Sequence, residues 1–355
     1  MKFLTVWSFL AMILVAMMPG ASQPSDEPAI INLMIDAQNF SSENPAFNAE
    51  ISLESISNLI LDRNLTATIF SAQDILKTDV NLDLTRLGLN PRFELAMSGN
   101  NSNEKISSLS YADQRASLEI SKRWVEAAKI CGQNAITVNG FMPQSFNQNQ
   151  NTYKVLDDLG IQYDAGFQAG LIYEHGNESD VWPYRVSGHK FYAVPVSTYT
   201  MNDKKVVLRD SKFQDSGLDA AQWYEALATK LDQIQGKDEP MVISLTTSVS
   251  GSGDYLDAFE KFLDYAIYKN ASFVTTTQLV EMARTGVRDA SALASAINNS
   301  AECPTCSQSN VKMEATVTNT SEEVCTTCSQ NNGNAKITTS ESNIERAAAP
   351  GTTPS

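Results

Sequence analysis

Two groups of residues in this chain have the type and spacing for chemistry: a lone aspartate closing an apolar run, and two close pairs of cysteines. Asp36 ends the run INLMID. A carboxylate just after a predicted strand stands where barrels of parallel strands carry their reactive groups. Cys303, Cys306, Cys325 and Cys328 follow the pattern C-x2-C-x18-C-x2-C, within the range of zinc ribbons. The linker SQSNVKMEATVTNTSEEV has almost nothing apolar to pack around an ion, and exported cysteines tend to oxidise. Disulfides within or between chains, zinc ligation and free thiols therefore all stand as readings of the four. The fifth cysteine, Cys131, lies between a helical pattern and a strand pattern and is expected as a buried core thiol. The only two histidines, His175 and His189, fall in the loop-like stretch EHGNESDVWPYRVSGHK and read as exposed or structural.

The elements that must position Asp36 alternate. Apolar runs ending at Ile35, Phe70, Met97, Phe141, Val196, Leu245 and Thr276 read as strands. Helical periodicity fills the intervals: Leu53, Ile56 and Ile60 share one face, Leu118, Trp124 and Ala128 another, and Leu256, Phe259, Leu263 and Ile267 form a stripe read as core packing. NTYKVLDDL and LDAAQWYEALATKLDQI supply two more helices. About seven such βα units predict an α/β fold on a mainly parallel sheet, barrel-like or strongly curved, with reactive groups at the carboxyl ends of the strands.

The bulk numbers narrow the partners. With 26 basic and 41 acidic side chains the net charge is −15, which repels phosphate backbones and anionic lipid, so nucleic acid is not expected. Residues 1–22 carry a lysine, an apolar run from Phe3 to Met18 and small residues from Gly20 to Ser22, the pattern of a cleaved secretory signal. The run is short of the roughly 20 apolar residues of a spanning helix, so a secreted or cell-surface protein without a stable membrane span is expected. Sequons stand at Asn39, Asn64, Asn100, Asn177, Asn270, Asn298 and Asn319. Residues 23–290 form the expected domain. Residues 291–355 are rich in Ser, Thr, Asn and Gln and should remain a disordered tail. An echo of CPTCSQSN in CTTCSQNN suggests a duplicated unit there, one able to link to a partner through disulfides.

The stretch GFMPQSFNQNQNTYKVLDDLGIQYDAGF, from Gly140, resembles the third motif of the polysaccharide deacetylases, a NodB-homology family of carbohydrate esterases that remove N-acetyl groups from sugar polymers. The likeness extends from about Ile30 to Arg284 and implies a distorted (β/α) barrel of about seven strands and a divalent metal such as zinc. The family's paired aspartates, base then ligand, become Asp36 and Ala37; a one-residue shift would make Asp36 the ligand and remove the base. Its two motif histidines become Ser98 and Ser102, poor ligands beside imidazole. Its base-orienting arginine becomes Met142, with Pro143 and Phe146 kept. Asp180 and Trp182 are a weak fourth match, where Trp182 could face a sugar ring or simply anchor a loop. The acid histidine becomes Thr246, which cannot titrate near neutral pH.

A metal-bound water has a pKa near 7 against about 15.7 in bulk, on the order of 12 kcal/mol towards hydroxide, and Asp36 alone cannot replace that. The resemblance therefore implies a deacetylase-like protein that binds or acts on carbohydrate or cell-envelope polysaccharide. The favoured form is catalytically degenerate and without a cofactor, with a groove lined by Asp36, Ser98, Asn101, Ser102, Met142, Pro143, Phe146, Asp180, Trp182 and Thr246. The alternatives are an active hydrolase of non-peptide C–N bonds with an altered site, and a structural cell-surface interaction protein.

Overall fold

The computed structural model describes residues 28–38, 49–76, 80–127 and 136–290. The expected signal, Cys131 and the whole tail with its four cysteines lie outside them.

The strands are β1 Ile30–Ala37, β2 Ala67–Ala72, β3 Phe93–Gly99, β4 Gly140–Phe141, β5 Tyr163–Gln168, β6 Tyr184–Arg185, β7 Tyr192–Val196, β8 Thr198–Met201, β9 Lys204–Val207, β10 Met241–Thr246 and β11 Ser272–Val274. The helices are α1 Ala49–Asp62, α2 Gln73–Leu76, α3 Val80–Gly88, α4 Tyr111–Ala127, α5 Gln150–Leu159, α6 Asp210–Asp215, α7 Ala220–Ile234, α8 Thr247–Ser250, α9 Gly253–Tyr268 and α10 Thr276–Thr285. Nine strands form one sheet in the order β10-β1-β2-β3-β4-β5-β7-β6, with β11 also paired to β1; β8 and β9 form a separate hairpin. Every main-sheet pairing is parallel except that of β6 with β7.

The sheet must curl, because chain leaving β7 meets β10 at the other side. Ser197 N–H donates to Val242 O at 3.0 Å, and Ser244 N–H donates to Leu208 O at 3.0 Å. The result is a half-barrel wrapped by helices. Strand alternation separates its two faces. Ile31, Leu33, Ile35 and Ala37 of β1 pack outward with Ile56, Ile60, Phe259 and Leu263 of the helices. Ile30 and Met34 pack inward with Phe70, Ala96, Met142, Tyr163, Val194 and Val242. Asp36, two residues beyond Met34, continues the inner face at the carboxyl end. The opposite end is filled by Leu279, Val280 and Met282 of α10. That helix starts at a capping box between Thr275 and Gln278.

Several elements differ from the sequence reading. The strand ending at Thr276 stops at Val274, because Thr275 caps a helix the sequence did not announce. The run to Phe141 yields only two paired residues. β5 was not among the seven apolar runs, since its sequence YDAGFQ holds a buried aspartate and a glycine. In α4, Trp124 is 37% exposed while Gln114, Ser117, Leu118, Ser121 and Val125 face inward. The buried stripe of α9 is Ala258, Phe259, Phe262, Leu263 and Ala266, leaving Ile267 outside. Small and polar side chains take the inner face of α4, whereas α9 keeps Phe259 and Leu263 and turns its stripe towards Ala258, Phe262 and Ala266.

Candidate functional site

Asp36 is wholly buried where β1 ends beside β10, in register with Thr246. Its carboxylate is surrounded by donors. Arg209 Nη2 donates to Oδ2 at 2.6 Å, Gln38 Nε2 to the same oxygen at 3.1 Å, and Gln144 Nε2 to Oδ1 at 3.2 Å. Gln38 is itself held at the start of α8: its N–H donates to Thr247 Oγ1, and its Oε1 accepts from Ser248.

Arg209 reaches the pair because the chain after β9 runs along β10, where Arg209 bridges Ser244. Its guanidinium is 97% buried, donates through Nε to Ser211 Oγ at 3.0 Å, and lies 5.3 Å from the centre of the Phe146 ring. That ring is placed by two successive residues in the left-handed region, Ser145 (φ 53°) and Phe146 (φ 58°), a conformation disfavoured for residues other than glycine. The next residue, Asp210, is also fully buried. It accepts from Thr246 N–H at 2.8 Å and from the Thr246 hydroxyl. Burial raises its pKa above the usual carboxylate value, opposed by the hydrogen bonds from Thr246.

The other expected positions divide. Met142 and Pro143 are buried beside Phe146, and Ser98 is buried with no hydrogen-bond partner for its hydroxyl. Ser102 donates through both N–H and Oγ to Asp74 Oδ2, at 3.0 and 2.6 Å. Asn101 is exposed at the same rim. Asp180 accepts from Asn177 Nδ2 in the loop before β6. Trp182 is not part of this constellation. Its Nε1 donates to Asp238 O, ahead of β10, whereas Thr246 ends that strand; at roughly 3.3 Å per residue the two ends are about 17 Å apart. Arg288 also covers its ring, 3.7 Å from the centroid. Trp182 therefore takes the loop-anchor reading. His175 is exposed near Glu178, and His189 pairs with Asp157 at 2.8 Å, both away from Asp36.

Sequence reasoning did not single out Arg209, Asp210, Gln38 or Gln144. The available signal was KVVLRD, a charged pair directly after a short apolar run. Asp164 was visible only as part of the third motif. It is fully buried on the outer face of β5, where Oδ1 accepts from Gly166 N–H at 2.8 Å. Burial pushes it up to about 8.

The sequence matches no family model, and no curated protein sequence matches it. Its fold does have counterparts among solved structures. A chain from Mycobacterium smegmatis assigned as a polysaccharide deacetylase is 18% identical, superposes with a TM-score of 0.55, and is matched over 75% of this chain and 93% of its own. A similarly assigned chain from Pseudomonas aeruginosa PAO1 gives 16%, 0.57, 75% and 94%. The fold is that of the polysaccharide deacetylases. The Puue allantoinase superposes equally well, at 14% identity and a TM-score of 0.57 over 75% of this chain and 94% of its own. These likenesses show the fold alone, and the chemistry of this chain has to be read from its own side chains.

Those side chains do not fit the divalent ion that the deacetylase resemblance implies. Ala37 offers no donor atom, Ser98 and Ser102 offer neutral hydroxyls, and the Asp36 oxygens already accept from three protein donors, one of them cationic. Among the described residues no three His, Cys, Asp or Glu side chains form a metal-binding group. A guanidinium takes the role of counter-charge to Asp36.

Proposed function

We propose that this chain is an exported, deacetylase-like protein of the secreted or cell-surface space that binds carbohydrate without hydrolysing it. The observation supporting this reading is the burial of Asp36 behind Arg209, Gln38 and Gln144, which donate three hydrogen bonds to it. A general base must come within reach of the proton it takes, and this carboxylate is sealed from solvent. Thr246, tied to Asp210, has no proton to give near neutral pH. With the inner end filled, binding falls to the rim, where Asn101 is exposed and the loop after β5 presents Leu171 and Tyr173, each 43% exposed. An aromatic ring at such a rim offers a flat apolar face to a sugar. The class of partner is an envelope or extracellular polysaccharide.

The test is twofold. Acetate release from N-acetylated chitin and peptidoglycan fragments should stay at background with and without added zinc. Titration with the same polymers should give saturable binding weakened by Tyr173→Ala. Turnover abolished by a chelator and by Asp36→Ala would overturn the non-hydrolytic reading, and absence of binding to every polymer would overturn the carbohydrate reading.

A further inference from the structure

We propose that Asn270 carries an N-linked glycan whose first sugar stacks on Tyr268. Export was read from the N-terminal segment, and this inference rests on that reading but not on any activity of the barrel. Among the described sequons, Asn64 and Asn270 are the exposed ones, and both stand at the left-handed residue closing a helix, with φ 58° each. Asn270 follows α9, where its N–H donates to Ile267 O and the next N–H, of Ala271, donates to Ala266 O. These bonds fix the turn through the backbone, and the Asn270 side chain takes no part in them; its amide has no hydrogen-bond partner among the described residues. Asn177 differs, since its Nδ2 is already committed to Asp180.

The second observation is Tyr268. It is 82% exposed, the most exposed of the large apolar side chains in the described residues, and no contact of the fold accounts for it. It sits two residues before Asn270, in the order Tyr-Lys-Asn-Ala-Ser. Tyr268 is the last residue of α9 and Asn270 the left-handed residue of the turn that follows, both exposed at the same helix end. There a sugar attached to the amide would find a ring to cover, removing apolar surface from water on both partners. The neighbouring Lys269 is held away by Asp232 at 2.7 Å.

The modification joins Asn270 Nδ2 to the anomeric carbon of an oligosaccharide carried on a polyprenyl diphosphate. The diphosphate leaves with the electrons of the broken carbon–oxygen bond, and the amide loses one proton. Transfer occurs on the unfolded acceptor, and the folded chain must then tolerate the glycan, which this open turn does.

The full chain is secreted from eukaryotic cells, its amino terminus is read, and it is treated with peptide N-glycosidase in heavy-oxygen water. The expected result is heavy-oxygen aspartate at position 270. Tyr268→Ala should then lower the melting temperature by at least about 3 °C in the glycosylated protein, with a shift less than half as large once the sequon is removed by Ser272→Ala or Asn270→Gln. Secreted, processed protein with unmodified Asn270 would overturn the glycan alone; a chain retained inside the cell without glycan would overturn it together with export. Equal shifts in the two backgrounds would remove the stacking.

Discussion

Arg209 and Asp36 stand 173 residues apart in sequence, yet form a 2.6 Å ion pair inside the barrel. The two ends come from different elements: the carboxyl end of β1, and the strand-like segment after β9 that lies along β10. Their meeting closes the curl of the sheet where the carboxyl ends converge. Taking both charges out of water is costly, and such a pair holds only if the remaining polar atoms find partners. Gln38, Gln144 and Ser211 supply most of them; Arg209 Nη1 is left without one.

Removing one partner should therefore cost more than removing both. Arg209→Met strands the Asp36 carboxylate and is expected to destabilise the domain by about 3–5 kcal/mol. Adding Asp36→Asn should recover at least half of that loss. Urea unfolding of the two single variants and the double variant measures the coupling. Additive losses would mean that the pair contributes nothing as a pair.

A second expectation concerns pH. Asp164 is raised by burial from the ordinary 3.8 to about 8, and Asp210 is raised for the same reason. A carboxyl whose folded pKa lies above its unfolded value holds its proton more tightly when folded. Its contribution is complete below the unfolded pKa and is lost as pH rises through the folded one. For Asp164 that window runs from about pH 4 to about pH 8, with a slope of at most about 1.4 kcal/mol per pH unit. Asp164→Asn should flatten the decline. The comparison is of denaturation midpoints at about pH 5 and about pH 8.5; an unchanged slope in the variant would show that Asp164 is not its source.

The outward half of the fold was legible because its signals are local and apolar. All seven runs read as strands contribute to the sheet, and Leu53, Ile56 and Ile60 face the core as their spacing predicts. What lay inside the curl was harder to see. Asn32, Thr68, Glu94, Ser98, Ser244 and Thr246 interrupt apolar runs on inward positions, where a sequence pattern treats them as solvent-facing. Arg209 was hidden for another reason: its partner is fixed by the closure of the sheet, a long-range event that no window of sequence contains. Trp182 stood open between two readings, sugar platform and loop anchor. A tryptophan beside an aspartate in a loop has the chemistry of a sugar platform, and only the path of that loop to the start of β10 assigns it elsewhere.

Gly140 should tolerate no side chain. A Cβ there would lie 1.9 Å from the Tyr163 ring, whose hydroxyl donates to Glu94 Oε1 at 2.7 Å, and Glu94 in turn accepts from Thr277 N–H and Oγ1. The ring is fully buried between β4, β2 and α10 and cannot swing away. Gly140→Ala is expected to cost at least about 3 kcal/mol, the upper end of overpacking penalties. Gly160→Ala, at a left-handed position with open space around it, isolates the backbone contribution alone. The two stabilities by chemical denaturation should differ by more than about 1 kcal/mol, and equal losses would mean that the Tyr163 contact is not the obstacle.

Arg288 holds the end of the described domain against the Trp182 loop. It stacks on the indole, donates through Nε to Asp238 Oδ1 at 2.7 Å, and through Nη1 to Met282 O at 3.1 Å. Two of these contacts involve side chains near solvent, and exposed cation–π contacts are worth about 0.5–1 kcal/mol. Arg288→Ala should therefore lower stability by about 1 kcal/mol, while Arg288→Lys, which keeps charge but not the planar stack, recovers only part. The local readout is Trp182 emission in a protein whose other three tryptophans are replaced by phenylalanine. Loss of the guanidinium should make it more accessible to iodide quenching in the alanine variant than in the parent. If quenching is the same in both, Arg288 does not shield the ring in solution, and Trp182 returns as a surface open to a ligand.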